Sequence, residues 1–169
     1  MVIVLMGVSG AGKTTVGRLL AERLGWHFKD ADDFHSPANK AKMHKGIALS
    51  DDDRGPWLTS LADEIALGAH GQPLVLACSA LKHDYRVLLE SKLEAEQRNQ
   101  VAFVYLKAGF ESISQRLNQR QDHFMNKDLL ASQFETLEEP AQALVVDATK
   151  SPQEIVDEVV IAITNTSPD

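Results

Sequence analysis

The amino-acid sequence predicts an α/β protein: an open parallel five-stranded sheet with helices on both faces. Three observations predict it. Short apolar runs and amphipathic helical segments alternate five times along the chain. The run Leu74–Cys78 is apolar at every position, as a central parallel strand buried on both faces must be. The 169 residues are 44% apolar, enough for one domain (1–169) with a proper core, and show no internal repeat, linker or low-complexity stretch. In such a sheet, ligands gather outside the carboxyl ends of the strands.

Each element has its own signal. The first strand is Val2–Met6, and the amphipathic segment that follows starts at Thr15, its helix near Lys13. Val16, Leu19, Leu20 and Leu24 recur at helical spacing, and Gly25 falls where a C-cap belongs. Trp26–Lys29 is a second strand, ending at Asp30. Residues 36–46 read as a short helix with Pro37 early and Gly46 as its stop. Residues 57–69 form an amphipathic helix, with Trp57, Leu58, Leu61, Ala62 and Ile65 facing inward. After Leu74–Cys78, residues 82–96 read as a helix interrupted near Ser91. Val101–Leu106 is the next strand and Phe110–Arg120 the next helix, with Phe110, Ile113 and Leu117 on one face. Asp122–Lys127 breaks the pattern. Leu129–Leu137 is a short helix, Ala143–Val146 the last strand and Pro152–Ile163 the closing helix, with a frayed tail from Thr164.

Composition narrows the function. The net charge of −7 argues against a general nucleic-acid or membrane-surface binder, so an anionic ligand must be drawn by local Arg and Lys. A single cysteine, Cys78, excludes an internal disulfide framework and suits a reducing compartment. No apolar run reaches 18 residues, and Met1 leads straight into the first strand, which leaves no room for a signal peptide. The expected location is the cytoplasm, without membrane or nucleic-acid partners.

Four clusters carry chemistry. Gly7-Val8-Ser9-Gly10-Ala11-Gly12-Lys13-Thr14 matches the phosphate-loop pattern G-x-x-x-x-G-K-[ST] at every fixed position. Glycines let the backbone curl around a polyphosphate and aim N–H donors at it, while the following helix adds the positive end of its dipole. Lys13 can reach the β- and γ-phosphates and the Thr14 hydroxyl can ligate Mg²⁺. A plain Gly/Ser turn would not need both the apolar strand before it and the periodic helix after it. Second, Asp30, Asp32 and Asp33 follow the second strand, beside this loop. Phosphoryl transfer to an alcohol needs one group for Mg²⁺ and another to orient the hydroxyl and accept its proton. Asp30 and Asp32 face the same way if the segment is extended. Third, Asp51, Asp52 and Asp53 precede Arg54; Asp51 and Asp52 suit a helix N-terminus with no further role. Arg54 is either a bidentate partner for a carboxylate substrate or a salt-bridge partner of these acids. Fourth, Arg116 and Arg120 share a helix face before the polar break. They form either a solvated basic face or a pair that stacks on a base and clamps a γ-phosphate beneath a lid. Cys78, a packed thiol rather than a nucleophile, precedes Ser79 at the same sheet edge. Among the histidines, His35 and His123 are the candidates for substrate or lid contacts.

These stretches together resemble the gluconate kinases (gluconokinases), small P-loop kinases related to shikimate and adenylate kinases. The phosphate loop has Ala11 where that family has Ser. D-G-D-x-[LF]-H-P is matched by Asp30, Asp32, Phe34 and His35, with Ala31 for Gly and Pro37 one position beyond the motif's Pro, and N-x-x-K-M by Asn39, Lys42 and Met43. G-x-P-L-x-D-x-D-R-x-P-W-L is met by Gly46, Leu49, Asp51, Asp53, Arg54, Pro56, Trp57 and Leu58, with Ala48 for Pro. C-S-A-L-K-x-x-Y-R is complete from Cys78 to Arg86, and S-Q-F-x-T-L-[EQ]-E-P from Ser132 to Pro140. The lid pattern R-x-G-H-F has Arg120, His123 and Phe124, with Asp122 at the glycine, a harder residue to place at a hinge needing positive φ.

The resemblance implies a nucleoside-monophosphate-kinase-like fold with a small lid at about 121–128, and ATP-dependent, Mg²⁺-assisted phosphorylation of D-gluconate at its 6-hydroxyl by a homodimer. The nucleotide contacts it implies are residues 7–14, Thr15, Arg116 at the adenine and Arg120 at the γ-phosphate. Thr14 and Asp30 fall to Mg²⁺, Asp30 through water. Asp32 is the group that deprotonates the hydroxyl, with Lys13 and Arg120 as its catalytic partners. His35, Arg54, Ser79, Lys82, Arg86, His123 and Gln133 are the further substrate contacts. A nucleotide-dependent switch is the rival class, but it would not need an acidic pair beside a carboxylate clamp. Shikimate is the rival substrate.

Overall fold

A computed structural model describes residues 1–119 and 127–166. Five parallel strands form one sheet, β1 (Val2–Met6), β2 (His27–Asp30), β3 (Leu74–Ala77), β4 (Val101–Lys107) and β5 (Leu144–Asp147), in the order β2-β3-β1-β4-β5. The helices are α1 (Lys13–Leu24), α2 (Pro37–His44), α3 (Asp51–Ala69), α4 (His83–Leu89), α5 (Phe110–Gln119), α6 (Lys127–Thr136) and α7 (Pro152–Thr166). The expected lid and Arg120, Asp122 and His123 lie outside the described residues, apart from 127 and 128, which open α6.

The central strand explains why both faces are covered. All five residues of β1 are fully buried, and their alternation splits them between two cores. Ile3 and Leu5 join a cluster with Val16, Leu20, Ile113, Leu130, Ile155 and Val159 from α1, α5, α6 and α7. Val2, Val4 and Met6 join Trp57, Leu58, Leu61, Ile65, Tyr85 and Leu89 from α3 and α4. Gly68 lets α3 press onto the sheet, since a Cβ there would collide with Val2 Cγ2. No helix among the described residues is long and apolar enough to cross a membrane.

Two helices differ from expectation. The helix expected over 57–69 begins six residues earlier, at Asp51, and carries Pro56 inside it. Ser50 caps it: its side chain accepts from the Asp53 N–H, while Asp53 accepts from the Ser50 N–H, a closed capping box. The helix expected over 82–96 ends at Leu89, and a 3-10 turn occupies 95–100. The acidic stretch after β2 is not extended either. It is a 3-10 turn over 31–34, capped by the Asp30 side chain, which accepts from the Asp32 N–H at 3.0 Å.

Candidate active site

The sheet delivers three loops to one edge. The first is the turn between β1 and α1. Gly7 takes φ 146° and a Cβ there would lie 2.9 Å from the Leu106 carbonyl oxygen, so no other residue fits without a shift. Lys13 Nζ folds back over the turn and donates to the Gly7 and Val8 carbonyls, 3.0 Å each. Burial pulls its ammonium pKa down, against the opposing pull of Asp32 and Asp30. The α1 N-terminus is left free of side-chain caps, its N-cap being Gly12 at φ 96°. Exposed Thr15 follows Thr14 in the first turn of this helix.

The second is the acidic turn after β2, where the capping bond keeps Asp30 and Asp32 side by side. Asp30 Oδ2 accepts from Thr14 Oγ1 at 2.6 Å, so a hydroxyl and a carboxylate sit together at the end of the phosphate loop. Two hard oxygen donors with room for waters fit Mg²⁺ rather than a metal caged by protein. Among the described residues no group of three His, Cys, Asp or Glu would cage one. The cleft walls and the Asp30 charge push the Asp32 carboxyl up, with Lys13 opposing. The turn is pinned from below by Trp57, whose Nε1 donates to the Ala31 carbonyl at 2.7 Å. His35 stacks on Trp57 with ring centroids 4.3 Å apart. Burial first, then the charges of Arg54 and Lys40, hold His35 below its ordinary pKa, so its ring is neutral at neutral pH.

The third is the loop after β3. The Gly7 N–H donates to the Ser79 carbonyl at 3.2 Å, which ties this loop to the first. Ala80 stands at φ 45°, a left-handed conformation that costs a non-glycine residue about 1–2 kcal/mol. Arg86 holds it there. The buried guanidinium donates to the carbonyls of Ala80 (2.8 Å), Leu81 (3.3 Å) and Glu138 (3.0 Å). Arg86 thus shapes the loop that presents Ser79 and Lys82, with these three bonds going to carbonyls of the chain. Burial pushes the Cys78 thiol up to about 12, so it is a packed group.

Lys82 and Arg54 meet around Tyr85. Arg54 Nη1 donates to Tyr85 Oη at 3.1 Å, and the two cations lie 5.5 and 5.2 Å from the ring centroid. Gln133 lies elsewhere. Its Oε1 accepts from the Ser9 N–H at 2.7 Å and its Nε2 donates to Ser9 Oγ at 3.1 Å, on the phosphate loop rather than beside Arg54. Arg116 reaches the loop after β5, donating to the Ala148 carbonyl. Three residues that sequence reasoning gave no role stand in these networks: Asp51, Tyr85 and Glu138. Each had a signal, Asp51 three residues before Arg54 at a helix start, Tyr85 and Glu138 inside long matched motifs.

A phosphate loop, an acidic pair and a cationic group on one sheet edge are the parts of a small-molecule kinase, and known proteins agree. The family profile described as shikimate kinase matches residues 9–164. A probable gluconokinase of Mus musculus is 46% identical over 96% of this chain and 97% of its own length. A gluconokinase of Arabidopsis thaliana is 41% identical over 97% and 93%. The chain belongs to the gluconokinase family. The crystal structure of a gluconokinase from Sinorhizobium meliloti 1021 superposes with a TM-score of 0.84 at 40% identity, covering 96% of this chain and 91% of that one. As a member of this family the protein is a nucleotide-using kinase with an open five-stranded parallel sheet.

Proposed function

We propose that the protein transfers the γ-phosphoryl group of ATP to the terminal hydroxyl of D-gluconate, giving ADP and 6-phospho-D-gluconate. The observation that carries this reading is the acidic turn fastened on both sides: Asp30 Oδ2 accepts from Thr14 Oγ1 of the phosphate loop at 2.6 Å, and Trp57 of α3, the helix that carries Arg54, donates to the Ala31 carbonyl at 2.7 Å. A sugar acid has a hydroxyl at one end and a carboxylate at the other, and this edge of the sheet offers a base beside the phosphate loop together with the Arg54 and Lys82 cations. The family membership supports the same substrate.

Asp32 orients the hydroxyl and accepts its proton while the oxygen–phosphorus bond forms and the bond to the departing ADP oxygen breaks. Lys13 offsets the charge on the transferring group. Mg²⁺, when bound by Thr14 and through water by Asp30, supplies neutralisation of the phosphate oxygens. Arg54 and Lys82 take the carboxylate, Ser79 and His35 flank it, and Arg86 and Gln133 act through the loops they hold. Arg116 serves the adenine and Arg120 the γ-phosphate, and His123 is a further substrate contact. The homodimer and the cytoplasmic location belong to the same proposal, and light scattering on the purified protein tests the first.

A coupled assay with ATP across gluconate, idonate, related sugar acids and shikimate tests the substrate. Gluconate should give the highest kcat/KM. Preference for shikimate, or ATP consumption independent of any acid, would overturn the reading.

A further inference from the structure

Two cations held against one ring, 5.5 and 5.2 Å from its centroid, repel each other, and something must offset that. Here the offset is a carboxylate of the chain itself. Asp51 Oδ1 accepts from Tyr85 Oη at 2.6 Å and from Lys82 Nζ at 3.3 Å, Oδ2 accepts from the same Nζ at 3.4 Å, and Arg54 Nη1 lies 3.7 Å from Oδ1. Asp51 is the first residue of α3 and its side chain is 68% exposed, against 28% for Arg54 and 34% for Lys82. The carboxylate therefore sits on the solvent side of the seat, with a short path out, while the cations form its floor. The hydrogen bonds from Tyr85 and Lys82 keep it ionised.

We propose that Asp51 is a specificity-determining residue: its carboxylate occupies the seat of the substrate's carboxylate, keeps Arg54, Lys82 and Tyr85 arranged for it, and is displaced when the sugar acid binds. The inference rests on the reading that these cations take a carboxylate, and it adds a consequence for selection. A simple carboxylate entering the seat exchanges one set of charge-assisted bonds for an equivalent set and gains little. A polyhydroxylated acid makes the same exchange and adds hydrogen bonds from its hydroxyls along the cleft. The resident carboxylate thus sets a threshold that small anions do not cross.

Asp51→Asn keeps the side-chain size and removes the charge. Calorimetric titration with gluconate alone, and steady-state KM values, should show gluconate binding about 2- to 5-fold tighter, the fold-change of a partly exposed ion pair. The KM for ATP should not move, and acetate should become a competitive inhibitor against gluconate where the parent protein ignores it. Asp51→Ala should behave alike, and thermal melting of both variants checks the fold. Weaker gluconate binding in these variants would make Asp51 a direct substrate contact and overturn the proposal, as would no change at all. Arg54→Ala separates the levels. If it raises the gluconate KM while Asp51→Asn fails to lower it, the seat stands and the resident carboxylate falls. If Arg54→Ala leaves gluconate binding unchanged, both fall.

Discussion

Asp32 is the residue on which the chemistry turns, because an alcohol is a poor nucleophile until something takes its proton. Asp32→Asn should lower kcat by ~10²-fold or more with little change in ATP binding, whereas Asp33→Asn, one position on, should be nearly silent. The walls around Asp32 and the charge of Asp30 raise its pKa, so the acid limb of kcat should lie above the ordinary aspartate range. That limb should vanish in the Asn variant, as a pH–rate profile would show. The spacing Asp30-x-Asp32 was legible in the sequence, but the local geometry was not. Periodicity gives facing only for an element already assigned, and a single 3-10 turn is too short to show a period. Gln133 was illegible for a different reason. Its partner Ser9 lies 124 positions away, and nothing local reveals such a pairing. Gln133→Ala removes two hydrogen bonds from the phosphate loop and should raise the KM for ATP about tenfold, leaving the gluconate KM nearly unchanged. A rise confined to gluconate would return Gln133 to the substrate side.

At the scale of elements, α3 and the start of α4 carry the cation seat, and the fastening of α3 to α2 hangs on Asp53. That carboxylate closes the Ser50 capping box and accepts from Lys42 Nζ at 2.8 and 2.9 Å, while Asn39 Nδ2 donates to the Asp53 carbonyl at 2.8 Å. Its pKa is lowered to about 2, first by Lys42 and then by Ser50. A depressed carboxylate stabilises the fold above the unfolded pKa, and that contribution is lost as pH falls from the ordinary carboxylate value toward 2. Asp53→Ala should lower Tm by a few degrees at neutral pH and flatten the acid side of the stability profile over that window. The start of α3 was misjudged because Gly-Pro reads as a helix entrance. The stronger signal was Ser50 three residues before Asp53, with an acid standing where the capping box more often has Glu. The inner strands β1 and β3 were far easier to find, since buried parallel strands announce themselves as unbroken apolar runs.

The whole molecule is a sheet clasped from both sides, and its stability should reflect how tightly the layers fit. Gly68→Ala forces a methyl against Val2 at the α3 interface and should cost about 1–3 kcal/mol, readable as a fall in denaturation midpoint. The parallel sheet and its two-sided core followed from the alternation of elements. The fastening of late segments onto early ones did not, because it uses side chains reaching partners far off in the chain. Gln133 grips Ser9, Glu138 accepts from Arg86, and Arg23 of α1 pairs with Asp157 of α7. On the ribosome this has a consequence of timing. A growing chain that has released its phosphate loop but not yet α6 presents Ser9 without the partner that orders it. Until α6 has emerged, the loop lacks the two hydrogen bonds whose loss in Gln133→Ala should weaken ATP use about tenfold.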